Sequence, residues 1–158
     1  MRSEEAVSQA IEKYAPMVQR ICFIHLKNEA DTDDIFQTVF LKYAMSTVTF
    51  ENAEHEKAWI IRVTVNACKD LLKSFFRRHT VPLNEYVEQA SITMPEQSEV
   101  LLAVIALPEK YRRAVYLHYY EGYTAPEISE ILGIKVNTVY THLARGKDLL
   151  RDTLGGEA

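Results

Sequence analysis

A strongly cationic stretch of the sequence lies between residues 57 and 78. This stretch contains six Lys and Arg residues against one acidic residue, Asp70, a local charge of +5 in a chain whose formal net charge is −4. Because nucleic acids attract clustered cations, the stretch is a candidate polyanion contact; the alternative is a solvated helix face. The cations are Lys57, Arg62, Lys69, Lys73, Arg77 and Arg78.

A second candidate site lies in residues 124–145. Thr124 followed by Glu127 forms a capping-box pattern that predicts a helix from about Ala125, which Gly133 ends. Asn137 can cap a final helix, so the pattern predicts a helix-turn-helix whose second helix enters the major groove. A plain helical hairpin is the alternative. The outward or adjacent positions of the final helix are Asn137, Thr138, Tyr140, Thr141, His142 and Arg145.

A third group of residues could bind a metal ion. Asp31, Asp33 and Asp34 could act as ligands with His25 or His55, as in helical metal-dependent hydrolases. No second acidic cluster is available to face the first, and the same carboxylates suit the start of a helix. We therefore expect no enzymatic activity, no metal and no cofactor.

The composition indicates the kind of fold that positions these groups. The 158 residues are 47% hydrophobic and 25% charged, which excludes disorder and collagen, and five Gly with five Pro are too few for the turns of a β-sandwich. Cys22 and Cys68 each lie in an apolar run, so we expect buried free thiols. With no apolar run near the roughly 18 residues of a membrane span, we expect a cytoplasmic protein that does not insert into membranes.

Apolar periodicity predicts an all-α protein with two small helical modules. In residues 1–78 it predicts three helices: one over 3–27, one capped by Asp31 that fades near 46–50, and one over about 56–78. Residues 79–97 lose the helical period and contain no Lys or Arg, so they are predicted to be a flexible linker. Residues 98–158 form the helix-turn-helix module.

Several separate motifs, in order along the chain, resemble a known family. The match extends over nearly the whole chain outside the linker, and its motifs are DDIFQTVF at 33–40, WIIRVTVN at 59–66 with Asp70, LPEKYR at 107–112, YEGYT at 120–124, Glu127 with Ile128, and the run 134–139. The sequence resembles bacterial sigma-70-type RNA polymerase sigma factors of the extracytoplasmic-function (ECF) group.

The resemblance implies a subunit that binds core RNA polymerase, directs promoter-specific transcription initiation and helps to melt promoter DNA. Residues 1–78 would bind polymerase and the minus-ten promoter element, and 98–158 would bind the minus-thirty-five element. The resemblance also implies an anti-sigma factor as a partner. The alternatives are a helix-turn-helix regulator that binds duplex operator DNA without polymerase, which leaves the motifs of 1–78 unexplained, and a helical adaptor without DNA contact.

The resemblance also implies roles for individual residues of the first module. Phe50 and Asn66 match family positions around a flipped non-template base, and the loop of residues 50–57 would determine which base is accepted. The alternative for Asn66 is a buried, hydrogen-bonded structural amide. For two residues of the docking helix the alternatives are helix capping by Asp34 and core packing of Phe40. Polymerase docking is implied for Asp34, Gln37, Phe40 and Leu41. Minus-ten contacts are implied for Phe50, His55, Lys57, Arg62, Asn66, Lys69 and Lys73.

In the second module, Tyr140, His142 and His118 stand where the family often has Lys or Arg. Fewer fixed charges predict weak autonomous DNA binding, and protonation of His142 near pH 6 would restore a cation. Minus-thirty-five contacts are implied for His118, Asn137, Thr138, Tyr140, Thr141, His142 and Arg145.

Overall fold

The computed structural model describes residues 1–26, 29–79 and 99–154, and this part of the chain contains helices and no strand. Contacts divide the chain into two compact units, Met1–Pro95 and Glu96–Ala158. The all-α prediction is confirmed. The predicted linker, 79–97, lies almost wholly outside the described residues.

The described residues of the first unit form three long helices, packed pairwise on one another: α1 (Glu4–Leu26), α2 (Glu29–Met45) and α3 (Ala53–His79). Their apolar faces supply a core that includes Val18, Ile21, Val39, Ile60 and Val65. The prediction that Asp31 caps α2 is wrong, because the helix already begins at Glu29. Helix α3 begins at Ala53, where the side-chain oxygen of Asn52 accepts a hydrogen bond from the backbone N–H of His55 at 2.8 Å.

The two cysteines lie in this core. Cys22 and Cys68 are free and buried, as predicted. A hydrogen bond with the Cys68 thiol and burial raise the pKa of the Cys22 thiol. A raised pKa disfavours the thiolate, so Cys22 behaves as a small apolar side chain.

A carboxylate links the three helices of the first unit. Glu56 of α3 accepts hydrogen bonds from the Tyr14 hydroxyl of α1 at 2.9 Å and from the Tyr43 hydroxyl of α2 at 2.8 Å. Burial and the hydrogen bond to Glu56 raise the pKa of both tyrosines above the usual value near 10. Because the folded state holds these protons more tightly than the unfolded chain, the resulting stability is present below pH 10 and declines as pH rises above it.

We therefore expect the free energy of unfolding of the first unit to fall between pH 9 and pH 11, and to fall less steeply in Tyr14→Phe. Urea titrations followed by the fluorescence of Trp59, the single tryptophan, measure this unit selectively. Tyr119→Phe, at an exposed tyrosine of the second unit, is the control. Equal slopes in wild type and Tyr14→Phe would contradict the assignment.

In the second unit, residues 99–154 form four helices and a π-helical turn: α4 (Glu99–Ile105), α5 (Glu109–Val115), the π-helical turn (Tyr116–Tyr120), α6 (Ala125–Leu132) and α7 (Val136–Thr153). Arg112 is buried, and its Nε and Nη2 donate to the Leu107 carbonyl oxygen just after α4, at 3.2 and 3.0 Å. Burial lowers the pKa of this guanidinium. No helix in the described residues is sufficiently long and apolar to span a bilayer.

Helices α5 and α7 approach closely at Gly146. A Cβ added at this glycine would overlap Cγ2 of Val115, a β-branched side chain with little freedom to move. We expect Gly146→Ala to lower the free energy of unfolding of the second unit by about 1–3 kcal/mol through overpacking. Thermal unfolding by circular dichroism measures the effect, with Ala144→Gly at an exposed position of the same helix for comparison. A Gly146→Ala protein as stable as wild type would show that the helices can separate without cost.

Candidate nucleic-acid interfaces

Aromatic side chains meet at the corner between α2 and α3. The Phe50 ring lies 6.2 Å from Tyr43 in a parallel arrangement, 5.7 Å from Trp59 and 5.2 Å from His55, all between ring centroids. Phe50 and Trp59 are half-buried, whereas His55 is exposed. The Nδ1 of His55 accepts a hydrogen bond from the backbone N–H of Glu51 at 3.1 Å, which fixes the end of the loop that carries Phe50. We call Tyr43, Phe50, His55 and Trp59 the aromatic cluster.

A row of polar side chains continues from this cluster along α3. Steps of four, three and four residues place the row on one face of the helix, beginning one turn after Trp59. Arg62, Asn66 and Lys73 are exposed and Lys69 is half-buried. We call Arg62, Asn66, Lys69 and Lys73 the polar stripe.

The exposure of Asn66 rules out the alternative in which its amide is a buried structural group. Lys57 is half-buried and lies about 140° around the helix from Arg62, so the structure does not bring it into the polar stripe. The side chains of Arg77 and Arg78 lie outside the described part. The predicted minus-ten residues are thus largely brought together, with Lys57 as the exception.

A second exposed stripe lies on α2. Asp34, Gln37 and Leu41 follow at steps of three and four residues and are all exposed, with Leu41 at 64%. Phe40 is 4% exposed and its ring lies 4.9 Å from Phe36. The structure therefore keeps Phe40 off the predicted docking surface and supports its alternative role in the core.

The helix-turn-helix of the second unit has the predicted caps at α6. Thr124 and Glu127 exchange the capping-box hydrogen bonds, at 2.9 and 3.3 Å, and Gly133 ends the helix with φ of 69°. The prediction that Asn137 caps α7 is wrong, because that helix begins at Val136. Its N-cap residue is Lys135, whose side chain makes no capping hydrogen bond. Asn137 lies in the first turn instead.

The exposed face of α7 carries most of the predicted base-contacting residues. Val139 and Leu143 are buried, as predicted. The exposed residues Asn137, Thr141 and Arg145 follow at steps of four, with exposed Tyr140 and half-buried Thr138 beside them.

The two predicted histidines have structural surroundings. His142 is half-buried, its ring centroid lies 5.5 Å from that of Tyr111, and its Nδ1 has no hydrogen-bond partner among the described residues. Burial lowers the pKa of His142, with a smaller effect from Lys110, so its protonation requires a lower pH than that of an unperturbed histidine. His118 lies in the π-helical turn, where its Nδ1 donates to the Tyr123 carbonyl oxygen at 2.8 Å.

No group of three His, Cys, Asp or Glu side chains that could hold a metal ion occurs among the described residues. Asp33 and Asp34 are exposed on the first turns of α2. The alternative of a metal-dependent hydrolase thus has no ligand set in this part of the chain.

Sequence reasoning missed Arg2 as a part of the site. Its guanidinium lies 4.6 Å from the Tyr43 ring centroid and 4.9 Å from that of Phe50. One Arg in a polar segment has no periodicity that could indicate partners more than 40 residues further along the chain.

Two family models match the two units. Sigma-70 region 2 matches residues 10–78, which include α2, the aromatic cluster and the polar stripe, and sigma-70 region 4 matches residues 97–150, which include the helix-turn-helix. The fold and these matches define a helical protein of the sigma-70 class.

Curated relatives and a solved structure agree with the assignment to the sigma-70 class. The chain is 24% identical to the ECF RNA polymerase sigma factor SigW of Bacillus subtilis, over 96% of this chain and 90% of that protein. It is 29% identical to the RNA polymerase sigma factor SigV of the same organism, over 87% and 84%. The sigma factor RpoE from Bartonella quintana, crystallised with the anti-sigma factor NepR, has the same fold, with a TM-score of 0.77, 16% identity and coverage of 96% and 98%.

The chain therefore belongs to the sigma-70 family of RNA polymerase sigma factors, in the ECF group. The resemblance inferred from the sequence motifs is confirmed.

Proposed function

We propose that this chain binds core RNA polymerase and directs promoter-specific transcription initiation, with the first unit capturing the minus-ten element and the second contacting the minus-thirty-five element. The observation that carries the proposal is the continuity of the aromatic cluster with the polar stripe of α3, within the part that matches sigma-70 region 2. We expect the protein to act in the cytoplasm without catalytic activity of its own.

The chemistry of promoter melting requires such a surface. A base that leaves the duplex loses stacking, which an aromatic platform and hydrogen bonds to its edge can replace. Phe50 supplies a ring and Asn66 an exposed amide, which can donate and accept. Arg62 and Lys73, exposed on the same helix face, supply charges for the adjoining phosphates.

The proposal is tested by run-off transcription with core polymerase over a library of promoter sequences. We expect the protein to co-elute with core enzyme and to yield transcripts from a subset that shares both elements. A protein that binds a duplex operator alone, without polymerase co-elution or transcripts, would instead be a helix-turn-helix regulator. A protein that shows neither of these behaviours would be a helical adaptor without DNA contact.

The exposed stripe on α2 is proposed to dock on the polymerase. Its one apolar member is Leu41, whose burial on binding would contribute about 1.5–3 kcal/mol. We expect Gln37→Ala combined with Leu41→Ala to weaken core binding at least tenfold while circular dichroism remains normal. Lys42→Ala, exposed on the same helix, is the control, and unchanged co-elution of the double variant would remove docking from this stripe.

An anti-sigma factor is a proposed regulatory partner. The fold is shared with RpoE, whose solved structure contains the anti-sigma factor NepR. A partner of this kind, expressed together with the chain, is expected to prevent co-elution with core polymerase. A candidate that binds the chain without affecting core binding would fail this test.

A further inference from the structure

Arg2 joins the aromatic cluster to the end of α2. Its backbone N–H donates to the Ala44 carbonyl oxygen at 2.9 Å, and its Nε donates to the Tyr43 carbonyl oxygen at 3.0 Å. Its Nη2 donates to the carbonyl oxygen of Val48, in the loop between α2 and α3. One residue thus contacts the last turn of a helix and the loop that follows it.

The carbonyl groups at the end of α2 can accept hydrogen bonds from outside the helix, and that of Tyr43 also accepts one from the Ser46 N–H at 3.2 Å. The last four carbonyl groups of a helix have no partner within it, and a cation near them is favoured by the helix dipole. Arg2 supplies both hydrogen-bond donors and a positive charge at the end of α2. Because the planar guanidinium also lies over the Tyr43 and Phe50 rings, at 4.6 and 4.9 Å, it restrains the rings as well as the backbone.

The loop that carries Phe50 is held at both ends. Residues 46–52 lie outside the helices. Asn52 and His55 restrain the end of the loop through hydrogen bonds to backbone N–H groups, at 2.8 and 3.1 Å. At the beginning of the loop, the Ser46 hydroxyl accepts a hydrogen bond from the Val48 N–H at 3.1 Å. The carbonyl oxygen of Val48 accepts the hydrogen bond from Arg2.

We infer that Arg2 is a positioning residue for promoter capture: it holds the loop of residues 46–52 so that the Phe50 ring is presented to the non-template strand. This inference rests on the function proposed above, in which Phe50 contacts a displaced base. Lysine cannot substitute for Arg2, because an ammonium lacks the planar fork that donates to two carbonyl groups and stacks on a ring.

Arg2→Ala, Arg2→Lys and Lys13→Ala test the inference in the full chain, with any affinity tag at the C-terminal end. Lys13 is exposed on α1, so its removal deletes an equal charge from the same unit. Acrylamide quenching of Trp59, whose ring lies 5.7 Å from Phe50, reports on the cluster without polymerase or DNA. Binding of a fluorescent single-stranded minus-ten oligonucleotide by the holoenzyme, measured at several salt concentrations, reports on capture.

We expect both Arg2 variants to increase the quenching of Trp59 and to weaken oligonucleotide binding about tenfold, with the salt dependence of binding unchanged. Lys13→Ala should match wild type in quenching. Full rescue by Arg2→Lys, with a shallower salt dependence in Arg2→Ala, would make Arg2 a phosphate contact and overturn the inference. Unaltered quenching would also overturn it.

Phe50→Ala in the same binding assay separates the two hypotheses. If Phe50→Ala binds the oligonucleotide normally, the proposed role of Phe50 in base capture fails. If Phe50→Ala is defective but Arg2→Ala binds as wild type does, the positioning role of Arg2 alone fails.

Discussion

Phe50→Ala and Asn66→Ala are each expected to abolish promoter opening while leaving core polymerase binding almost intact. Docking is proposed for the exposed stripe on α2, whereas base capture involves the aromatic cluster and the polar stripe, so the two steps use different surfaces. Loss of stacking at one base costs about 1–3 kcal/mol. Since several bases must open together, a defect at the first captured base prevents the rest from being held.

Permanganate footprinting of the non-template strand and a core-binding assay on the same variants measure the two steps. Thr47→Ala is a control for Phe50, because it removes an exposed side chain from the same loop. Asn66 is exposed, so Asn66→Ala should leave the fold intact and gives the cleaner result. Loss of core binding in both variants would show that these residues are structural and that the assignment of base capture is wrong.

Local patterns in the sequence were sufficient to predict features that depend only on neighbouring residues. The capping box at Thr124 and the left-handed Gly133 depend on side chains within a few positions, and both are present. The caps proposed at Asp31 and Asn137 failed because the helices begin earlier: Glu29 and Ala30 precede Asp31 as good helix formers, and a polar residue in the first turn resembles a cap in sequence.

Contacts between distant parts of the chain could not be predicted from the sequence. The pattern placed His142 beside an outward helix face, but its ring lies against Tyr111 from another helix, and burial disfavours its charge, with a smaller effect from Lys110. Phe40 belongs to a motif that resembles a docking helix, yet its side chain is in the core. The assignment of Arg2 needs partners at 43, 44 and 48, which only the packing of α1 against α2 brings near.

The exposed face of α7 is expected to determine recognition of the minus-thirty-five element. Arg145 is exposed, four residues after Thr141 and eight after Asn137, so these three side chains point from one face of the helix. If Arg145 makes a bidentate contact with guanine, Arg145→Ala should cost about 1–3 kcal/mol and relax the preference at one base pair. If it contacts a phosphate, binding to all sequences should weaken equally, with a lower dependence on salt.

Lys147→Ala is the matched control for Arg145→Ala. Both variants lose one positive charge from α7, but Lys147 lines an apolar groove with Val104 and Tyr119 on the other side of the helix. We expect Lys147→Ala to leave base preference unchanged in holoenzyme transcription over minus-thirty-five variants. His142→Gln is expected to change promoter binding little at pH 6, because burial lowers the pKa of His142 and so disfavours the charged ring.

The combined variant Asn137→Ala, Thr141→Ala and Arg145→Ala removes the polar side chains of this face while leaving the buried residues Val139 and Leu143 in place. Transcription from promoters that require the minus-thirty-five element should fall by at least 100-fold if the three contacts contribute about 1 kcal/mol each. Binding of a single-stranded minus-ten oligonucleotide by the same holoenzyme should be unaffected, because that contact belongs to the first unit. Undiminished transcription from the combined variant, with normal circular dichroism, would show that DNA recognition does not involve this helix.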